Sequence, residues 1–228
     1  MGIVRRFLLR HPLVSAVLAS DLVLATIWGV QLWRLQRSVT DNAQYWSSPQ
    51  GEDSGLPYVA LGNSTAQVVG ASDPDAGYVA VIAERLRAST GKPVQVINSA
   101  AAKPESPGVS AQQLFDLAGL DPDRFRSDIT ALVDGLPQDT VIGDIPYFMH
   151  GQADTDANEA AATLTDVAQS RQLVAAPLQE TFRVRGWGGM LTDYAADFFH
   201  PNDRGHRLWA DAFWQQIEAL TPAMTGDG

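Results

Sequence analysis

Residues 57–98 read PYVALGNSTAQVVGASDPDAGYVAVIAERLRASTGKPVQVIN, and the order of apolar runs in this stretch decides the fold class. A short apolar run, 57–62, stops at the small polar turn Gly62-Asn63-Ser64-Thr65-Ala66. Residues 76–90 then carry apolar side chains at helical spacing, and 93–98 form a second apolar run. Strand, helix and strand in succession are the unit from which parallel sheets are built. The alternation continues outward, with helices predicted over 110–119, 122–134, 156–171 and 203–220 and strands over 139–145 and 173–177. Asp121-Pro122 supplies an N-cap with Pro at the first helical position, and Gly135 closes that helix. The pattern predicts an α/β protein with a doubly wound, mainly parallel sheet between two helical layers, and with its chemistry at the carboxyl ends of the strands.

The chain has 228 residues, enough for one domain with an appendage. It has no Cys, which removes disulfides, thiolate nucleophiles and Cys-ligated metals from consideration. Its formal net charge of −10 argues against nucleic acid as a partner, because phosphate neutralisation needs a basic face. The charge is unevenly spread. Residues 1–37 hold five Arg and one Asp, about +4, so the remainder carries 11 basic and 25 acidic residues, about −14.

The cationic part contains PLVSAVLASDLVLATIWGVQLW, Pro12 to Trp33. As a helix its 22 residues extend roughly 33 Å, close to a bilayer core. Three Arg before it and two after it would leave the carboxyl-terminal domain outside the cytoplasm, and Trp28 and Trp33 sit where an aromatic belt would lie. Asp21, near the midpoint, opposes insertion. The expectation is a single-pass membrane anchor over 1–37, against a cleaved leader with secretion, or a helix on the surface of a soluble protein. Residues 38–56, polar with Ser, Gly and Pro, read as a linker, and 57–228 as the folded domain.

Two short blocks bring chemistry. Gly62-Asn63-Ser64-Thr65-Ala66 would expose the Ser64 hydroxyl at the sheet edge, with the backbone N–H groups of Ser64 and Thr65 available to an oxyanion. A Ser in this place is also a common helix cap. Ala66 occupies the position of the second Gly in G-x-S-x-G, so the turn is not the nucleophile elbow of α/β-hydrolases. Near the other end, DFFHPNDRGH (197–206) puts Asp197 three residues before His200, a spacing that lets one turn present a carboxylate to an imidazole. The pair reads equally as a cap or surface hydrogen bond. Asp197, His200 and His206 as metal ligands form a third option that no further ligand cluster supports. Arg183, Arg185 and Gly186-Trp187-Gly188-Gly189 read as a flexible loop, either lining a pocket or plain surface.

Together, YVALGNSTAQVVGASDPDAGYVAVIAERL and DFFHPNDRGHRLWADAFW resemble the SGNH or GDSL-type hydrolases, lipase- and esterase-like enzymes of flavodoxin-like architecture, over nearly all of residues 57–220. The resemblance implies that Ser64 is the nucleophile, His200 its base and Asp197 the residue that orients His200. The implied reaction is hydrolysis of carboxylic esters, acyl or acetyl groups on small molecules, lipid or glycan, with no cofactor and no metal. Three departures stand out. Asn63 replaces the Asp of GDS. The Gly expected after the second strand is missing from 98–104, with Gly108 the nearest. The strand ending in G-x-N-D, whose Asn donates to the oxyanion, has no counterpart between 112 and 137, where Gln112 and Gln113 are the donors nearest in sequence. The fold is therefore expected to lack one strand. The alternative function is a catalytically impaired domain of this type, serving as a membrane-tethered ligand-binding or interaction module.

Overall fold

A computed structural model describes residues 12–100, 121–147 and 151–225. Helix α1 (Pro12–Tyr45) leads to β1 (Gln50–Gly51), β2 (Leu56–Ala60), a 3₁₀ turn at Pro74–Ala76, α2 (Tyr78–Thr90) and β3 (Val94–Asn98). After these come α3 (Pro122–Asp134), β4 (Val141–Gly143), α4 (Gly151–Ser170), β5 (Val174–Ala176), α5 (Leu178–Arg183), α6 (Gly186–Asp193) and α7 (Asp203–Thr225). The helix expected over 110–119, Gly108, Gln112 and Gln113 lie outside the described residues, as does the first part, 112–120, of the stretch read as missing a strand.

The chain is mixed α/β, and its strand pairing follows the sequence pattern. β2 and β3 are parallel in the register Leu56↔Val94 to Ala60↔Asn98. In β3, Val94, Val96 and Asn98 are buried while Gln95 and Ile97 are less so, the two-residue period of a strand. β4 and β5 are likewise parallel, Val141↔Val174 to Gly143↔Ala176. The expected single sheet is, among the described residues, two small ones: β1-β3-β2, with β1 antiparallel, and β4-β5. A cavity of about 880 Å³ lies between them, lined by the whole of β2 and of β4. No described strand joins the two edges.

The helices on either side of β3 bury the stripes their sequences prescribe. α2 buries Tyr78, Val79, Ile82, Ala83 and Leu86, one face of a 3.6-residue period, and ends at Gly91, whose φ of 66° closes the helix through an N–H bond to Arg87 O. α3 starts under Asp121, which accepts from the N–H groups of Asp123 and Arg124, and buries Phe125, Ile129 and Val133. One core gathers α2, β2, β3 and α7, with the Tyr78 and Phe213 rings stacked at 5.5 Å. A second joins α3 and α4 to β4 and the run before β5.

One amino-terminal reading is corrected and another finds no support. Residues 38–56 do not form a linker: α1 continues to Tyr45, Asn42 and Trp46 are buried, and Gln50–Gly51 pairs with β3. The reason is local, since no Gly or Pro interrupts the helix between 38 and 48. The expected anchor finds no support either. Among the described residues, no helix is long and apolar enough to cross a membrane.

Candidate functional site

Ser64 lies just past the end of β2, in a turn that starts as a helix and does not propagate. Gln67 N–H donates to Asn63 O and Val69 N–H to Ser64 O, after which Val68 at φ 66° and Gly70 at φ 98° reverse the chain. Such a turn leaves several carbonyls without ladder partners, a cost in a buried place. Three side chains from three distant elements supply them. Asn98 Nδ2, at the end of β3, donates to Ala66 O at 2.7 Å. Asn42 Nδ2, on α1, donates to Val68 O at 3.0 Å. His206 Nε2, on α7, meets Val69 O at 3.3 Å. All three are buried, so the turn holding Ser64 is clamped from below by polar groups that water does not reach.

His206 is fixed in one tautomer by these contacts. Its Nδ1 accepts from Tyr78 N–H at 3.5 Å, which leaves the proton on Nε2 for Val69 O. Burial outweighs the bond to Val69 and pushes its pKa down to about 4. His206 is thus committed as a neutral brace, and the grouping of Asp197, His200 and His206 around one ion is not formed. Among the described residues, no three His, Asp or Glu side chains are grouped to hold a metal ion.

Asp197 and His200 sit on a loop between α6 and α7. The loop is closed by the Tyr194–Pro201 bridge, by Ala195 N–H to His200 O at 2.8 Å, and by Asn202 N–H to Asp193 O at 3.0 Å. Asp197 Oδ1 accepts from Phe199 and His200 N–H, both at 3.1 Å, and Oδ2 lies 2.6 Å from His200 Nδ1. Burial alone would raise this carboxyl, but the hydrogen bonds from the His200 ring and the two backbone N–H groups together hold it below its usual value. An ionised Asp197 keeps the proton on His200 Nδ1, so Nε2 is free to accept. It faces Ser64 Oγ at 2.9 Å, across 136 residues of sequence. The three residues singled out from the sequence therefore form one hydrogen-bonded chain, Asp197 to His200 to Ser64, at the carboxyl end of β2. Its geometry matches a hydroxyl, a base and an orienting carboxylate.

The oxyanion donors are another matter. Thr65 N–H is engaged by Asn63 Oδ1 at 3.1 Å, which removes it as a free donor, while Ser64 N–H has no partner among the described residues. The basic loop expected at 183–189 is also corrected: Arg183 ends α5 and Gly186–Asp193 is α6. Arg185 does not line the cavity; it pairs with Asp193, a fully buried carboxylate that Arg204 Nε also reaches at 3.2 Å.

Asn42, Asn98 and Asp193 are the positioning residues that the sequence reading passed over. Only Asn98 carries a local signal, being a polar residue at a buried register of an apolar strand.

No family model matches the sequence, and no curated protein matches it. Solved structures do match the fold. The acetyl xylan esterase AlAXEase superposes with a TM-score of 0.52 at 16% identity, over 71% of this chain and all of that one. The lipase/acylhydrolase from Enterococcus faecalis gives 0.52 at 16% identity, over 72% and 96%. Axe2, an acetylxylan esterase from Geobacillus stearothermophilus, gives 0.51 at 17% identity, over 72% and 94%. The chain shares the fold of these carboxylic ester hydrolases.

Proposed function

We propose that the protein is a serine hydrolase of the SGNH type that cleaves carboxylic esters through an acyl-enzyme on Ser64. The observation that carries this reading is the hydrogen-bonded chain from Asp197 through His200 to Ser64, built from the residues that the sequence motifs single out. His200 Nε2 takes the Ser64 proton as Oγ attacks the ester carbonyl, and returns it to the departing alcohol. The same nitrogen then deprotonates the water that releases the acid. Asp197 holds the tautomer and stabilises the imidazolium formed in each half-reaction. Ser64 N–H is the backbone donor for the oxyanion, aided by Thr65 N–H once it leaves Asn63.

The engaged Thr65 N–H favours a second reading, a hydrolase-like domain that binds an ester or acyl group without turning it over. A fluorophosphonate probe separates the two. Under the first reading the wild type is labelled and Ser64→Ala is not. An unlabelled wild type, or labelling that survives Ser64→Ala, excludes the Ser64 mechanism.

A further inference from the structure

We infer that the site works at a lipid surface, on acyl esters presented there, and that α1 together with the Phe198–Phe199 loop is the surface that docks. The inference rests on the hydrolase reading and adds the class of substrate. On α1, Val17, Leu22, Val23, Leu24, Ile27 and Val30 are all exposed. At about 100° per residue these side chains point around most of the circumference. A protein groove or a second helix covers one stripe of a helix; an apolar medium suits this wider apolar arc, with Asp21 in the remaining arc turned to the headgroups. Since no described helix is long and apolar enough to cross a membrane, this part is taken to lie in the surface of the lipid.

The helix also adjoins the site. Trp28 Nε1 donates to Ala196 O at 3.0 Å, the residue before Asp197. Phe198 and Phe199 follow, 51% and 52% exposed, and the Phe199 ring stands edge-on to His200 at 5.1 Å. Seating α1 in lipid therefore brings the loop that carries the imidazole to the same surface. The docking helix carries Arg34 and Arg37, so anionic headgroups would add attraction; on a zwitterionic surface apolar contact alone must carry the binding, and it must survive salt.

The test uses full-length Ser64→Ala protein, which cannot turn over, pelleted with phosphatidylcholine vesicles. It should co-sediment equally at low and high salt, and adding Leu24→Ser/Ile27→Ser should lower partitioning at least about tenfold. In the active protein the same pair of changes should leave the rate on a soluble short-chain ester unaltered and lower the rate on a long-chain ester held in vesicles. Absence of co-sedimentation, or its loss at high salt, overturns the inference. So does a lipid-free dimer that Leu24→Ser/Ile27→Ser dissociates while vesicle partitioning stays unchanged. If the wild type hydrolyses neither ester but still binds vesicles, the hydrolase reading and the ester substrate fall together, and lipid docking stands.

Discussion

Asn202 N–H donates to the backbone oxygen of Asp193, and this bond closes the eight residues 194–201 between them into a loop that holds Asp197 and His200. The Asn202 side chain reinforces the closure from both directions. Its Nδ2 donates to Thr192 O and Tyr194 O, while its Oδ1 accepts from Arg204 and Gly205 N–H at the start of α7. Asn202→Ala removes the cap, worth about 1 kcal/mol, and frees the loop ends. We expect kcat on a soluble ester to fall by about ten- to a hundredfold with little change in KM, because the loss is in alignment of His200 rather than in substrate contact. Asn202→Asp, which keeps the cap acceptors, should recover part of the stability and little of the rate. Thermal melts and steady-state kinetics on the two variants check both expectations.

Beneath that loop, Asp193 is fully buried and shared by Arg185 and Arg204. Arg185→Met leaves a buried carboxylate with the more exposed Arg204 as its one remaining cationic partner, beside the Thr192 hydroxyl. The expected cost is about 2–4 kcal/mol, reduced from the full price of an unpaired charge because Arg204 stays within reach. Arg204→Met, at a side chain 52% exposed, should cost under about 1 kcal/mol. Chemical denaturation that ranks the two in the opposite order contradicts this account of the clasp.

Gly70 is where the Ser64 turn touches the His200 loop. Its φ is 98°, and a Cβ there would stand 2.9 Å from His200 Cβ and nearer still to Pro201 O. Gly70→Ala therefore carries backbone strain and pushes Ser64 and His200 apart. A loss of about 3 kcal/mol in stability, with fluorophosphonate labelling slowed more than a hundredfold in the folded fraction, is the expected result. Labelling at the wild-type rate would show that the two loops are not in register through this contact.

Stability against pH should reflect two groups of opposite sign, the buried His206 and the half-buried Asp144. His206 is held neutral, with a folded pKa of about 4 against 6.5 when unfolded. The unfolded chain binds more protons in that window, so this contribution is complete above 6.5 and is lost as pH falls toward 4. Asp144 is the reverse. Burial, only partly offset by the N–H groups of Gln179 and Leu178, pushes its carboxyl up to about 7 from 3.8. The folded chain then binds more protons, so its contribution is complete below 3.8 and is lost as pH rises toward 7. Each is worth on the order of 3 kcal/mol, and they oppose one another. Asp144→Asn should expose a steep rise of stability from pH 4 to 6.5, and His206→Gln a steep fall from pH 4 to 7. Parallel pH profiles for the two variants would show that these groups do not govern the titration.

What could be read in the sequence, and what could not, follows from the range of each interaction. Asp197 and His200 were legible because a spacing of three makes their contact local, and Ser64 because a small polar turn directly follows an apolar run. The helical stripes of α2 and α3 were legible for the same reason, as periodicity and caps are written within a dozen residues. Asn42, Asn98 and Asp193 were not, since their partners are carbonyls and guanidiniums brought near by topology. The stretch 38–45 was misread because Ser, Thr, Asp and Asn suggest a loop by composition. They extend a helix when no breaker intervenes and one side chain, Asn42, finds a buried acceptor.

That side chain also bears on proteolytic release. Asn42 holds the carbonyl of Val68 in the turn that carries Ser64, and Trp46 and β1 follow it into the domain. A protease cutting before residue 38 would leave the domain with this brace intact. A cut between Tyr45 and Leu56 would part Asn42 from the domain and leave the Val68 carbonyl, four residues past Ser64, with the Ala71 N–H alone. Cuts that keep the brace and cuts that remove it are thereby separated by less than two turns of α1.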